Sequence, residues 1–271
     1  MPELPEVETI KNELAPHIIG RIIIGVTLLW DRMLRQPSPK QFYHHVSGKK
    51  ITGLTRRGKY LIFRLDSGNS LIIHLKMSGS LILGTDLPPE YTRAIVHLDN
   101  DVNIFFCDPR KFGRISLVTD VGNITEKLGP EPLESTFTAD VLANKLEKRK
   151  TPLKAVLLNQ SLIAGMGNMY ADEALFAARI NPLRLADSLS QDEIKRLHYA
   201  IQKVLKDAIK SKGASVSTYF RPGGEMGRAH SYFKVAHQKG KLCSICGNSI
   251  KRIAIRQRGS YYCPTCQPEK D

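Results

Sequence analysis

Two closely spaced pairs of cysteines constrain the fold of this chain more tightly than any other feature of its sequence. Sixteen residues separate the pair Cys243 and Cys246 from the pair Cys263 and Cys266. This spacing is typical of a zinc ribbon, in which each pair occupies a tight turn and contributes two thiolates to one tetrahedral ion. Four thiolates leave no open coordination position, so we predict one structural Zn²⁺ and no redox role. The fifth cysteine, Cys107, is expected to pack as a small apolar residue.

The segment between the cysteine pairs predicts a β-hairpin with strands at Ile250–Arg258 and Ser260–Tyr262. The hairpin carries Arg252, Arg256 and Arg258. Guanidinium groups on a rigid hairpin are suited to phosphate oxygens and to the minor groove of DNA. We therefore expect the ribbon to contact nucleic acid.

The charge of the whole chain points to the same kind of partner. The 271 residues carry a formal net charge of +14, and seven Lys or Arg but no acid lie between Lys234 and Arg258. Such clustering favours a polyanion, and a surface that only maintains solubility is the alternative. The sequence has neither an apolar run as long as a membrane span nor the layout of a signal peptide. We expect a monomer that stays in the cytosol and binds no membrane.

The order of the predicted elements indicates an α+β protein. A short amphipathic helix comes first, because Pro5 suits a first turn and Val7, Ile10 and Leu14 recur at helical spacing. Strand patterns follow, and a two-layer β-sandwich is the simplest arrangement for them. The predicted strands are Arg21–Leu29, Ile51–Thr55, Tyr60–Leu65, Ser70–Leu75, Ala94–Leu98, Val102–Phe106 and Arg114–Val118.

Beyond a proline-rich boundary at Gly129–Leu133 the periodicity becomes mainly helical. Gly165 and Gly167 precede a helix that starts near Tyr170, and a longer helix follows at Gln191–Ser211, which predicts a helix-two-turn-helix domain. The glycines could bring backbone amides to a phosphate at the helix N-terminus, although a lone Gly-x-Gly is usually only a turn.

The residues between Gly213 and Gly240 break this pattern and predict a long loop, a feature that is usually functional in compact domains. Four regions are therefore predicted. They are an N-terminal β-sandwich domain at 1–130, a helical domain at 131–216, a loop and linker at 217–240 and the zinc hairpin at 241–271.

Seven ordered motifs resemble those of the bacterial formamidopyrimidine-DNA glycosylase family. They are Pro2–Glu8, Arg57–Tyr60, His74–Gly79, Asp108–Gly113, Gly129–Pro132, Gly165–Tyr170 and the terminal ribbon. Enzymes of this family excise 8-oxoguanine and ring-opened purines from duplex DNA and cleave the strand at the abasic site. The resemblance implies the same bifunctional glycosylase and lyase activity in base excision repair, with an N-terminal catalytic domain and no organic cofactor.

The resemblance also implies how the reaction proceeds. Met1 is removed, and the secondary amine of Pro2 attacks C1′ of the damaged nucleoside, displaces the base and leaves a covalent, cationic iminium. Glu3 serves as the general acid, its alternative role being that of an acid at a helix N-terminus. Lys59 and Arg258 are carried over as participants in β- and δ-elimination. Because an arginine stays protonated in proteins, we expect Arg258 to stabilise the leaving phosphate rather than to donate a proton.

Other matched residues are expected to hold the DNA. Met77, Arg110 and Phe112 match residues that fill the gap left by an extruded nucleotide, and a core position is the alternative for Met77 and Phe112. The expected phosphate contacts are His74, Arg110, Arg149, Lys150, Lys154 and Asn168. The expected base pocket, which includes the closing loop, consists of Glu6, Ser217, Thr218 and Tyr219. One departure is Tyr91, which stands where many relatives have a histidine that approaches DNA, so this chain lacks the histidine for that contact.

Two other functions compete with this interpretation. An endonuclease VIII-like glycosylase shares the mechanism but prefers oxidised pyrimidines, and Leu4 together with the gap-filling set favours the purine enzyme. A zinc-ribbon protein that only binds nucleic acid would explain the charge and the cysteines, but it leaves Pro2, Glu3 and Lys59 without a role.

Overall fold

The N-terminal helix lies where the sequence predicts it, and its predicted apolar face is buried. The computed structural model describes residues 1–85, 87–216 and 219–269. Helix α1 spans Leu4–Ile18, and Pro5 lies in its first turn, where a missing backbone N–H costs no helical hydrogen bond. One face of α1 is apolar because its residues recur every three or four positions. The fully buried residues of that face include Val7, Ile10, Leu14 and Ile18.

The strands that follow form one antiparallel sheet in the described part of residues 22–118. Its order is β5-β7-β6-β1-β2-β3-β4-β8. The strands are β1 (Ile22–Leu28), β2 (Lys49–Arg57), β3 (Tyr60–Leu65), β4 (Ser70–His74), β5 (Ser80–Gly84), β6 (Thr92–Leu98), β7 (Asn103–Cys107) and β8 (Arg114–Val118). The strand predictions are thus confirmed apart from their ends.

The sheet folds into two layers between β1 and β2. These strands pair only where Ile22 and Ile23 meet Lys50 and Lys49, whereas β1 pairs with β6 over most of its length. The inner faces of the two halves share one apolar core, to which α1 also contributes. Members of this core include Ile51, Phe63, Leu71, Ile73, Leu81, Val96, Ile104 and Phe106. The predicted β-sandwich is therefore confirmed.

One strand and one α-helix of this region were not predicted. Strand β5 is one, and helix α2 (Pro39–Val46) is the other. Helix α2 buries only Phe42 and Val46, so its apolar periodicity is too short to be distinctive. A capping box between Ser38 and Gln41 marks its start.

The later helices confirm a mainly helical second region. Helix α6 begins at Asn168, two residues before the predicted start, because Gly167 takes the extended N-cap conformation. The short helix α3 (Gly122–Thr125) still belongs to the first region, and the helices of the second region are α4 (Ala139–Leu146), α5 (Leu153–Leu157), α6 (Asn168–Ala177) and α7 (Gln191–Lys210). None of the helices in the described ranges is both long and apolar enough to cross a membrane.

The C-terminal hairpin differs from the prediction in its turn. Its strands are β9 (Lys251–Ile255) and β10 (Arg258–Tyr262), so Arg258 begins the second strand instead of ending the first. Arg256 and Gln257 form the turn, with φ values of 44° and 64°. A two-residue turn with both residues in the left-handed region matches the twist of a hairpin, which explains the shift.

The described residues divide into two compact units. The first comprises Met1–Glu126 together with Ser211–His230, and the second comprises Lys127–Lys210 together with Ser231–Asp271. The segment Ser211–His230, which follows α7, thus belongs to the same unit as the β-sandwich.

Candidate functional site

The N-terminus of α1 carries the residues expected to perform the chemistry. Pro2 is buried and Glu3 is only 2% exposed, so neither belongs to a solvated tail. Glu3 is the N-cap of α1, where the positive end of the helix dipole stabilises a carboxylate. Its backbone N–H donates to the carboxylate of Glu6 (2.7 Å) as part of a capping box. This box fixes the backbone next to Pro2.

Glu6 also connects α1 to the segment after α7. Its side chain is fully buried, and its other carboxylate oxygen accepts the backbone N–H of Ala214 (2.8 Å). An added Cβ at Gly213 would lie 2.9 Å from Glu6 Cγ and 3.1 Å from the ring of Tyr219. Tyr219 is buried, and this burial raises the pKa of its hydroxyl. The structure thus brings Glu6 and Tyr219 together. Outside the described residues lie Ser217 and Thr218.

Lys59 lies in the tight turn between β2 and β3 and is only 7% exposed. Gly58 precedes it with φ of 56°, a conformation that favours glycine. Arg56 connects this turn to α1, since its guanidinium donates to the carboxylate of Glu8 (2.7 Å) and to the carbonyl of Gly58 (2.9 Å). The turn that carries Lys59 is therefore fastened to the helix that carries Glu3.

His74 is held as a neutral imidazole at the end of β4. Its Nδ1 accepts the backbone N–H of Lys76 (2.9 Å), and its ring meets that of Tyr60 edge to face, with centroids 4.6 Å apart. Burial, followed by the charges of Lys76 and Lys59, lowers the pKa of His74 to about 3. Because Nδ1 is an acceptor, the proton of the neutral ring resides on Nε2. This geometry suits a neutral hydrogen-bond donor.

The residues expected to fill the gap in DNA lie on the surface. Met77 is 41% exposed and Phe112 is 42% exposed, so the alternative that they belong to the core is wrong. The guanidinium carbon of Arg110 lies 4.9 Å from the centroid of the Phe112 ring, which holds the two side chains side by side. Exposed apolar and cationic groups are what insertion into a base stack requires.

The side chain of Tyr91 is exposed, whereas its backbone forms a hydrogen bond that supports a neighbouring loop. Its side chain is 46% exposed, and the guanidinium carbon of Arg93 lies 5.8 Å from the ring centroid. Its backbone has φ of 62°, and its carbonyl accepts the N–H of Asp108 (2.9 Å). The backbone of residue 91 thus supports the loop that begins at Asp108.

In the second unit, two residues that were predicted to contact phosphate, Asn168 and Lys154, form hydrogen bonds to the zinc hairpin. The carbonyl of Gly259 accepts hydrogen bonds from Asn168 Nδ2 (3.0 Å) and Lys154 Nζ (3.3 Å). Lys154 is fully buried, and its ammonium also pairs with the buried carboxylate of Asp172 at 2.5 Å. To reach a phosphate, Lys154 would have to leave this pair. Its role as a phosphate contact therefore stays a prediction.

Three other cationic side chains that are predicted to act on DNA also belong to this unit, and all three are exposed. Arg258 is the first residue of β10 and directly precedes Gly259, the residue whose carbonyl accepts the two hydrogen bonds described above. Arg149 and Lys150 follow α4, and Arg149 Nε donates to the carbonyl of Lys145 (2.7 Å). These positions allow contact with a large anionic ligand.

The four paired cysteines form a cluster whose sulfur atoms all lie within 4.8 Å of one another. The Sγ atoms of Cys243 and Cys266 are 3.8 Å apart, and those of Cys246 and Cys263 are 3.4 Å apart. A tetrahedral ion with Zn–S bonds of about 2.3 Å requires sulfur separations of roughly 3.8 Å. These distances exclude disulfides, which need about 2.05 Å, and they fit Zn²⁺.

Family models match three parts of the chain. The Formamidopyrimidine-DNA glycosylase N-terminal domain matches residues 1–115, the H2TH domain of the same enzymes matches residues 128–220, and a zinc finger found in FPG and IleRS matches residues 240–268. The formamidopyrimidine-DNA glycosylase of Pelotomaculum thermopropionicum is 42% identical over 100% of both chains. That of Symbiobacterium thermophilum is 43% identical over 99% of this chain and 90% of its own length.

The chain belongs to the formamidopyrimidine-DNA glycosylase family.

Solved structures of the family have the same fold. The Fpg protein of Thermus thermophilus matches with a TM-score of 0.91 and 38% identity, covering 100% of both chains. A Lactococcus lactis Fpg mutant in complex with DNA that contains Fapy-dG matches with a TM-score of 0.93 and 36% identity. It covers 99% of this chain and 100% of its own.

The sequence analysis assigns no role to two carboxylates of this chain, those of Asp108 and Asp172. Asp108 lies in a motif that the sequence singles out, and an Asp-Pro dipeptide is a recognisable turn signal for a side chain that accepts nearby N–H groups. Asp172 has no comparable signal, because its partner Lys154 lies 18 residues earlier and is brought to it only by the packing of α5 and α6.

The buried pair of Lys154 and Asp172 leads to a prediction about stability. In Asp172→Asn the Lys154 ammonium loses its counter-charge, and breaking a buried pair typically costs about 3–5 kcal/mol. We therefore expect the helical unit to unfold at a lower urea concentration, with unfolding monitored by circular dichroism. The double variant Lys154→Met/Asp172→Leu should recover most of this loss.

The exposed pair of Lys203 and Asp207 provides the matched control. Their atoms are 2.8 Å apart and both side chains are more than half exposed. Asp207→Asn should therefore change stability by less than about 1 kcal/mol. An Asp172→Asn variant as stable as the Asp207→Asn variant would show that the buried pair does not stabilise the unit.

Proposed function

We propose that this chain is a bifunctional DNA glycosylase and abasic-site lyase of base excision repair that removes oxidised purines from duplex DNA. The expected substrates are 8-oxoguanine and formamidopyrimidines. The observation that carries the proposal is the buried N-terminus of α1, where Pro2 and Glu3 are fixed by the Glu6 capping box. The family and the DNA complexes of its Lactococcus lactis member support the same substrate class.

In the proposed reaction, the nitrogen of Pro2 is the nucleophile. After removal of Met1 it is an α-amine, whose typical pKa of about 7.7–8.0 lies well below the roughly 10.4 of lysine, so a larger fraction is unprotonated. The nitrogen forms a bond to C1′, and the bond from C1′ to the base breaks with its electron pair on the base. Because proline is a secondary amine, the resulting imine is a cation and acidifies the C2′ hydrogens.

Elimination then follows from this electron sink. Loss of a C2′ proton expels the 3′ phosphate, and a second elimination expels the 5′ phosphate. Glu3 is proposed to protonate the sugar oxygen as the ring opens and to move protons afterwards. Lys59 is proposed to assist β-elimination, and Arg258 to stabilise the leaving phosphate as a fixed positive charge.

Other cationic and polar groups are proposed to hold the phosphate backbone. The exposure of Arg149 and Lys150 and the neutral Nε2 donor of His74 support this role. Asn168 is proposed to act beside the zinc hairpin. Lys154 is proposed as a further contact, which it would make by leaving Asp172.

Removal of a base also requires that the damaged nucleotide leave the stack. Met77 and Phe112 are proposed to enter the gap, while Arg110 hydrogen-bonds the base left unpaired. The exposure of all three side chains supports this role. The pocket for the extruded base is proposed to be formed by Glu6, Ser217, Thr218 and Tyr219.

The cysteine cluster is proposed to bind one structural Zn²⁺. The sulfur separations and the matching zinc-finger family support this assignment. When bound, the ion would cross-link the two turns and so fix the hairpin that carries Arg258. No organic cofactor is needed, because Pro2 itself supplies the electron sink.

The proposal extends to where and how the chain works. Its relatives are bacterial enzymes, and we propose that it acts as a monomer on DNA in the bacterial cytosol. Residues 1–130 are proposed as the catalytic domain, 131–216 as the helix-two-turn-helix domain, 217–240 as the lesion-closing loop and linker, and 241–271 as the zinc hairpin.

Borohydride trapping tests the proposal directly. Borohydride reduces an iminium to a stable amine, so incubation with a duplex that contains 8-oxoguanine opposite cytosine should yield a covalent protein–DNA adduct. Digestion and mass spectrometry should locate the adduct on the peptide that begins with Pro2. Absence of an adduct on any lesion would contradict an enzyme and favour a protein that only binds DNA. Trapping on oxidised pyrimidines alone would favour an endonuclease VIII-like specificity.

A further inference from the structure

Asp108 joins the two loops that carry the exposed residues Met77, Arg110 and Phe112. It is 1% exposed, and its Oδ1 accepts the hydroxyl of Ser78, the residue after Met77. The same carboxylate accepts the backbone N–H groups of residues on the second loop. These donors are Arg110 at 3.2 Å, Phe112 at 2.7 Å and Gly113 at 2.7 Å.

The ring of Phe106 lies under both loops. An added Cβ at Gly79 would lie 2.9 Å from Phe106 Cε2, and one at Gly113 would lie 2.5 Å from Phe106 Cζ. Such distances leave no space for a side chain at either glycine. The two loops therefore converge on one aromatic ring, and the Asp108 carboxylate links them above it.

The backbone of each loop has a conformation that needs such support. Lys76 precedes Met77 with φ of 55°, and Lys111 separates Arg110 from Phe112 with φ of 58°. Left-handed backbone at a residue other than glycine is strained and persists when surrounding contacts fix it. Hydrogen bonds to an ionised carboxylate are stronger than those to a neutral group, so Asp108 is well suited to fix Lys111 between its neighbours.

We propose that Asp108 is a positioning residue that holds the Met77 loop and the Arg110–Phe112 loop together, so that they enter DNA as one preorganised wedge. This inference rests on the proposed function, because it concerns how the damaged nucleotide is extruded. A preorganised wedge loses little conformational freedom on insertion, whereas two independent loops would have to be ordered at that moment. Asp108 contacts no reacting atom, so it should affect extrusion and not the chemistry that follows.

Asp108→Asn is the first variant to test. Asn keeps the shape but replaces one acceptor oxygen with an NH₂ group, which cannot accept the loop N–H groups. We expect excision of 8-oxoguanine from duplex DNA to slow on the order of 10- to 100-fold, the effect of losing one or two hydrogen bonds to a charged group. Cleavage at a preformed abasic site in single-stranded DNA should stay within about twofold of wild type, since no stack has to be opened there.

A fluorescent 2-aminopurine next to the lesion provides an independent readout of unstacking. Its fluorescence rise in stopped-flow mixing should slow by the same factor as excision. Ser78→Ala removes only the bond between the loops and should show the same pattern to a smaller degree. Asp120→Asn is the matched control, because the exposed Asp120 carboxylate also accepts a backbone N–H, that of Gly122 at 2.8 Å. It should leave every readout unchanged.

The outcomes separate the inference from the proposed function. Wild-type extrusion in both Asp108→Asn and Ser78→Ala would overturn the inference, as would an equal loss of single-strand cleavage, which would indicate general damage to the fold. If Asp108→Asn fails to fold, Ser78→Ala decides the question. If the wild-type protein cleaves neither substrate, it is the proposed function that fails.

Discussion

Pro2→Gly should lower the rate of base excision on the order of 10³-fold while lesion-containing DNA is still bound. Glycine keeps an α-amine at the N-terminus but loses the ring that fixes the nitrogen and makes its imine permanently cationic. Removal of a group that acts only at the transition state lowers kcat and kcat/KM together and leaves binding intact. Single-turnover excision of 8-oxoguanine and a binding titration with an uncleavable abasic-site analogue measure the two effects separately.

Pro16→Gly is the matched control for this experiment. Pro16 lies in the last turn of the same helix and is exposed, so this variant should excise the base at the wild-type rate. Excision by Pro2→Gly at the rate of Pro16→Gly would refute the assigned nucleophile. The fraction of chains that retain Met1, measured by mass spectrometry, must be compared in each preparation, because a retained Met1 converts the nitrogen of Pro2 to an amide that cannot attack.

The elements that could be predicted from the sequence are those with local signals. The cysteine spacing predicts the ribbon, and the α1 periodicity of Val7, Ile10 and Leu14 predicts which face is buried. Strand β5 has no such signal, since it is a five-residue strand between Gly79 and a terminal Gly84. The periodicity of a short apolar run of this kind does not distinguish a strand from a buried helical segment. Its assignment depends on its pairing with β7, a contact distant in the sequence.

The same distinction between local signals and long-range contacts applies to the candidate site. Pro2 and Glu3 are identifiable because the N-terminal motif resembles that of a known family. The connections that hold the site are long-range, as when Glu6 accepts the N–H of Ala214, 208 residues later. The family resemblance predicts that Lys154 contacts a phosphate, whereas the packing of α5 against α6 buries it with Asp172. Sequence thus identifies ionisable groups, but the fold decides which of them are already paired.

Cys246→Ser should lower zinc content and affinity for lesion-containing DNA together. A serine hydroxyl is a far poorer zinc ligand than a thiolate, and the binding energy of a structural zinc is folding energy. The apolar cluster that includes the buried residues of the ribbon is small. It consists of Phe176, Val235, Cys243, Ile250 and Cys263. Without the ion this cluster cannot hold the turns, so the hairpin and Arg258 lose their fixed position. We expect the affinity for lesion-containing DNA to fall at least about tenfold, the lower end of the loss in metal affinity or activity when the partners of metal ligands are mutated.

Cys107→Ser is the control that separates loss of a thiol from loss of the metal site. Cys107 is buried in the β-sandwich, where its Sγ lies 3.5 Å from the Thr92 hydroxyl, so a serine at this position retains a polar partner. It should keep one zinc per chain and wild-type affinity. Zinc is measured by elemental analysis of the purified chain, and affinity by titration of a labelled duplex before and after a chelator. A Cys246→Ser protein with full zinc and full affinity would show that the four cysteines are not a metal site on which DNA binding depends. A protein that loses zinc but keeps its affinity would show that the ribbon does not position the DNA contacts of the hairpin.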